Sequence, residues 1–221
     1  MPSDPVDLLT WAAEEASRSK RIAGYRRALA AADDPAAGWD AGYAASARAR
    51  AVCGLVRDGE VPIEAAVLEV DRAIAEGAPC MALLSLAETH NALGHAREVL
   101  DTVRRVPKNC FRSPLLSIWR FRLWDLRARA AIDLDDVRQG LKYATRIVSW
   151  MDREDAGELA WMPPRLTTEA LLVLANGDDS SSERARGLLT EMPKRVDLTE
   201  WFADDLAQRI RTAATLAERS A

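Results

Sequence analysis

Between Arg104 and Arg129 the sequence carries Arg104, Arg105, Lys108, Arg112, Arg120, Arg122, Arg127 and Arg129 against a single acid, Asp125. On a helix Arg120, Trp124 and Arg127 stand at i, i+4 and i+7, so two guanidiniums flank one indole on a shared face. With Arg129 close by, such a face could hold a carboxylate-rich peptide, a C-terminal carboxylate or a phosphate through bidentate hydrogen bonds. A plainer reading is that Trp124 packs under the next helix while the arginines pair with Asp133, Asp135 or Asp136.

The other chemically suggestive groups are sparser. Tryptophan stands at positions 11, 39, 119, 124, 150, 161 and 201, and at helical spacing such residues usually pack between helices with the indole N–H on a carbonyl. Trp161 precedes Met162-Pro163-Pro164 and is expected on a loop, available to a partner. His90 and His95 are five apart, the wrong spacing for two metal ligands on one helix face. Acidic pairs such as Asp33-Asp34, Asp135-Asp136 and Asp178-Asp179 suit caps and turns, where a carboxylate accepts from free N–H groups. They do not have the i, i+3 or i+4 spacing of inward-facing metal carboxylates. No phosphate-binding glycine loop or nucleophile arrangement is present, so no catalytic residue, metal or cofactor is expected.

Composition narrows the class. A net charge of -4 and a hydrophobic fraction of 48% over 221 residues fit a globular protein and argue against a general nucleic-acid binder, which needs a dominant basic surface. No apolar run approaches the roughly 20 residues that span a bilayer, and the beginning MPSDPVDLL lacks a basic start and a secretory apolar stretch, so the cytoplasm is expected. Cys53, Cys80 and Cys110 are widely spaced and are expected as reduced, buried thiols. The heavy use of Ala and Arg fits a GC-rich bacterial genome.

These groups must be positioned by helices, because strand-like alternation is scarce and alanine is abundant. Asp4-Pro5, Asp34-Pro35 and Ser113-Pro114 each place a capping side chain before proline at a first helical position. Pro62 marks a further start, and Ser180 with Glu183, and Asp197 with Glu200, have capping-box spacing. The pattern predicts helices over 5–31 (broken near Ser19), 38–57, 62–76, 79–93, 95–106, 114–131, 134–151, 165–176, 182–192 and 198–218. Helices 62–76 and 134–151 are apolar on one side, whereas 114–131 is apolar nearly all round and is expected between neighbours. The last, with Leu198, Trp201, Phe202, Leu206 and Ile210 on one side, is expected as a C-terminal capping helix.

A pattern of small, bulky and small or apolar residues recurs at Ala66, Val70, Ala73; at Ala96, Leu100, Val103; at Gly140, Ala144, Ile147; and at Ala185, Leu189, Met192. Together with Trp124, Ala128 and Ala131, with Leu83 and Ala87, and with Cys53 and Gly54, it resembles the tetratricopeptide repeat. The small residues at 66, 96, 140 and 185 are 30, 44 and 45 apart, against about 34 in that family, so a related solenoid or a closed helical bundle stays open. The resemblance implies an all-α, right-handed α-solenoid of antiparallel helical hairpins, one domain over 1–221, whose concave face binds a protein or peptide without catalysis. Arg120, Trp124, Arg127, Arg129 and Trp161 are then the partner-binding candidates, and an acidic partner is expected. An all-α enzyme or small-ligand receptor with a tryptophan-lined cavity, and a structural subunit of a larger assembly, are the alternatives.

Overall fold

The computed structural model describes residues 4–112 and 117–134 without a break, with 136, 138–140, 142, 143, 146, 182, 183, 186 and 187. The chain divides into two compact units, Met1–Cys110 and Phe111–Ala221, and each is described by itself. Among the described residues the regular structure is helical throughout.

The first unit contains α1 (Pro5–Glu14), α2 (Arg18–Ala32), a 3-10 turn (Pro35–Ala37), α3 (Ala41–Arg57), α4 (Ile63–Ala75), α5 (Pro79–Ala92) and α6 (Ala96–Arg105). The Asp-Pro reading holds at α1, where Asp4 Oδ1 accepts from the Val6 N–H at 2.8 Å. At Asp34-Pro35 the same pairing starts only a single 3-10 turn, because Gly38 turns left-handed at φ 65°. Asp40 then caps α3 through the Tyr43 N–H at 3.1 Å, so α3 starts three residues later than the pattern predicted. The break in the first long stretch falls at residues 15–17, just before Ser19. Gly77, at φ 77°, ends α4 by letting its own N–H reach Ile74 O at 3.0 Å and that of Ala78 reach Ala73 O at 2.8 Å, closing two carbonyls a right-handed turn would leave open.

Consecutive helices pack against one another from α1 to α6, and α3 also touches both α1 and α5. The sequence of α3 explains how one helix can serve so many neighbours. Ala45, Ala49 and Cys53 enter one core with Val70 and Leu83, while Ala47 and Ala51 enter a second with Leu9, Ile22 and Tyr25. Small side chains on both flanks let helices approach from two sides. Gly54 carries this furthest: a Cβ there would lie 2.5 Å from the Tyr25 ring, so α2 rests directly on the α3 backbone.

The recurrent pattern is partly a core pattern. Ala66, Val70 and Ala73 are all fully buried. In α6 the buried residues are Val99, Thr102 and Val103 while Ala96 and Leu100 are only half-buried, so that face is turned from the predicted one. Gly140 is buried, and Ala144, Ile147, Ala185, Leu189 and Met192 lie outside the described residues, as does the expected C-terminal capping helix.

Ion pairs brace the unit. Arg21 Nη2 reaches Asp58 Oδ1 at 2.6 Å and Arg26 Nη2 reaches Glu60 Oε2 at 2.8 Å, tying α2 to the turn after α3. Arg48 holds Glu69 at 3.1 Å and also pairs with Asp33, and Arg105 reaches Asp71 at 2.7 Å. The expectation of three reduced thiols is corrected: Cys80 and Cys110 are disulfide-bonded and only Cys53 is free. The antiparallel α5–α6 hairpin returns the chain after α6 to the start of α5, leaving the two Cα atoms 5.6 Å apart, a separation a disulfide spans.

In the second unit α7 runs Ser117–Asp133. Its buried positions include Leu123, Leu126, Ala128, Ala130 and Ala131, which go well round the helix, as its nearly all-round apolar sequence predicted.

Candidate functional site

Because α7 is continuous, Arg120, Trp124 and Arg127 do share one helical face, but the side chains find other company than the predicted indole. Arg120 is exposed and its Nη2 donates to Phe111 O at 2.8 Å. That carbonyl belongs to a buried residue held at φ 58°, a conformation uncommon for a side chain of this size. The Arg127 guanidinium carbon lies 5.5 Å from the Tyr143 ring centroid, and Arg146 sits at 5.5 Å from the same ring. Tyr143 is thus the aromatic group that two cations share, a pairing worth about 0.5–1 kcal/mol per cation at an exposed site. Trp124 and Arg129 are half-buried, and Arg127 and Arg129 both make further interactions. Trp161 lies outside the described residues.

A second polar cluster, which the sequence reading missed, joins α1, α3 and α5. Tyr43, Arg50 and Arg57 recur every seven residues on α3 and therefore share a face. Tyr43 Oη donates to Asp4 Oδ1 at 2.6 Å, so one carboxylate caps α1 and anchors α3. Burial, then the hydrogen bond to Asp4, pushes the Tyr43 hydroxyl up to about 12, with Asp7 acting the same way and Arg50 against it. The Tyr43 bond in turn is the main cause holding the Asp4 carboxyl below its ordinary range. Arg57 Nη1 donates to Thr89 Oγ1 at 3.3 Å across to α5, and the Thr89 hydroxyl lies 2.8 Å from Ser85 O.

Arg50 stands between these anchors. Burial depresses its pKa, Glu88 of α5 and then Tyr43 oppose that, and Arg57 adds to it. Among the described residues no hydrogen bond or ion pair engages its guanidinium. The period-seven recurrence at 43, 50 and 57 is the signal the sequence carries for this face.

His90 and His95 meet with ring centroids 5.8 Å apart. His90 is buried, and its Nδ1 has no hydrogen-bond partner among the described residues. No cluster of three or more His, Cys, Asp or Glu side chains fit for a metal ion occurs among the described residues. Trp39 fits the packing role expected of the tryptophans, its Nε1 donating to Ala31 O at 3.0 Å, whereas Trp11 is 44% exposed. No helix among the described residues is long and apolar enough to cross a membrane.

Compared with protein-family models, with curated proteins and with solved structures, the chain finds no match. The two clusters bring charged donors, a hydroxyl and an aromatic face together on helices.

Proposed function

We propose that this protein is a non-catalytic binding module, a right-handed α-solenoid of helical hairpins similar to tetratricopeptide repeats, that recognises an acidic segment of another protein or a peptide. The observation that supports it is the packing order of the first unit. The odd-numbered helices α1, α3 and α5 touch in series while each also packs on its even-numbered neighbour. Paired helices stacked in this way present one row of helices as a binding face and keep the other behind it. Arg120, Arg127 and Arg129 of α7 supply selection for negative charge, with Arg127 on the Tyr143 ring, and Trp124 and Trp161 supply apolar anchors.

The cytoplasm belongs to this reading only if the Cys80–Cys110 bond is a reversible one, since glutathione and thioredoxin keep most cytosolic thiols reduced. An oxidising compartment is the reading the disulfide itself favours.

Capture of partners from a lysate on the immobilised full chain, repeated with Arg120→Glu and Arg127→Glu together, tests the proposal. A specifically captured acidic protein that is lost from the charge-reversed chain, with its circular dichroism unchanged, is the expected outcome. Undiminished capture removes these residues from the site.

A further inference from the structure

The arginines of the first unit fall into two groups. Arg18, Arg21 and Arg26 of α2, Arg48 of α3, Arg72 of α4 and Arg104 and Arg105 of α6 each reach a carboxylate. Arg27, Arg50, Arg57 and Arg97 reach none among the described residues; of these four only Arg50 is half-buried, the others being exposed, and Arg57 is turned onto Thr89. A guanidinium carries five N–H donors, and removing it from water without an acceptor costs stability that a surface position would not. A second guanidinium on the same face of the same helix adds repulsion. An anion seated between them would relieve both penalties at once.

We infer that Arg50 and Arg57 form a carboxylate-binding subsite on α3, with Thr89 orienting Arg57, that takes acidic side chains of a bound peptide. This rests on the reading of the protein as a peptide-binding module and names a subsite apart from α7. Carboxylate is favoured over phosphate because the neighbourhood already holds carboxylates: Glu88 acts on Arg50, and Asp4 and Asp7 act on Tyr43. A singly charged group meets less repulsion from them than a phosphate carrying nearly two charges. A peptide source follows from the spacing. Seven residues of helix separate the two arginines by about 10.5 Å, which an extended segment crosses in about three residues, so neighbouring acidic residues can serve both guanidiniums. The fork of each guanidinium matches a carboxylate edge.

The test uses the full chain and N-acetylated hexaglutamate amide, with hexaglutamine as the neutral counterpart. Binding is followed by titration calorimetry and by the arginine Nε–Hε resonances. Saturable binding of hexaglutamate alone is expected, weakened at least tenfold by Arg50→Met and at least threefold by Arg57→Met. Arg27→Met, an exposed change on α2, should leave it within twofold. Because the guanidinium has no hydrogen bond or ion pair among the described residues, Arg50→Met should melt at or above the wild-type temperature. Hexaglutamate should raise the melting temperature of the wild type and not of that variant.

Wild-type affinity in Arg50→Met, an equal loss in Arg27→Met, or stronger binding of inorganic phosphate than of the peptide would overturn the inference. So would a lowered melting temperature of Arg50→Met with Arg50→Lys keeping full affinity, since Arg50 would then be a structural charge. Hexaglutamate bound through Arg50 while no cellular protein is captured supports the subsite and defeats only the broader reading. Capture that survives Arg50→Met, with no hexaglutamate binding, defeats only the subsite.

Discussion

Breaking the Cys80–Cys110 bond offers a quantitative test, because the two residues are 30 apart in sequence and the bond closes the whole α5–α6 hairpin. In the chain-entropy treatment, a closed loop of that length removes about 12 cal/mol/K from the unfolded ensemble, or ~3.6 kcal/mol at 25 °C. The hairpin keeps its apolar contacts when the bond is replaced, so Cys80→Ser with Cys110→Ser should lower stability chiefly by that amount. At a denaturant slope of about 2 kcal/mol per molar urea, the midpoint falls by about 1.8 M. Cys53 supplies the probe: it is fully buried in α3 and its thiol is pushed up to about 11 by burial. In the oxidised protein and in the double variant alike it is the one thiol to label. Pulse labelling of Cys53 across a urea series therefore reports opening of the first unit on the same atom in both proteins. Three reactive thiols in the untreated denatured protein, or a midpoint that moves by less than about 0.3 M, would refute the reasoning.

Two further changes probe other parts of the same unit. Gly54→Ala puts a methyl group 2.5 Å from the Tyr25 ring and should cost about 1–3 kcal/mol by overpacking; Tyr25→Leu should recover part of it, and a neutral Gly54→Ala in urea denaturation would contradict the close approach of α2 to α3. His90 has its pKa lowered by burial and then by His95, with Glu98 opposing, so between the folded and unfolded values the unfolded chain binds more protons and stability rises with pH. Stability should accordingly fall as the solution is acidified through about pH 6.5, His90→Gln should flatten that slope in melting curves taken from pH 5 to 8, and an unaltered slope would count against the burial of the imidazole.

What could be read from the sequence was mostly local. Asp4 before Pro5 gave a helix start because the cap and the proline act within one turn, and Ala66, Val70 and Ala73 were recognisable because a one-sided helix exposes its period. Asp34 before Pro35 misled for an equally local reason two residues further on, since Gly38 leaves the right-handed region and Asp40 takes over as the cap. Pairings between distant segments were not legible. Cys80 meets Cys110 only because the hairpin folds back, and Arg127 chose Tyr143 over Trp124 because the side chain follows tertiary neighbours rather than helical spacing. Arg50 is the sharpest instance: its type and place in α3 were in plain view, yet its value as a site depends on Glu88 and Thr89 arriving from α5 and Asp4 from α1.

The packing of α3 bears directly on how well such a site can discriminate. Ala45 and Ala49 face one core, Ala47 and Ala51 the other, and all four are essentially buried. Of the long polar side chains of α3, Arg48 is committed to Glu69 and Asp33, Tyr43 to Asp4 and Arg57 to Thr89, which leaves Arg50, on the line between Tyr43 and Arg57, without a hydrogen bond or ion pair among the described residues. Moving that line means moving a helix shared by two cores, which disturbs apolar contacts on both flanks at once. The backbone under Arg50 and Arg57 is for that reason set before a ligand arrives, with the Tyr43–Asp4 and Arg57–Thr89 hydrogen bonds fixing its two ends. Binding then has to order little more than the Arg50 side chain, which keeps the entropic cost of recognition low. Enlarging Ala49 to valine should reach the site through the same wall: it should lower stability and weaken carboxylate binding together, whereas an equal loss of stability from Val99→Ala, a buried position of α6 outside both of those cores, should leave affinity unchanged.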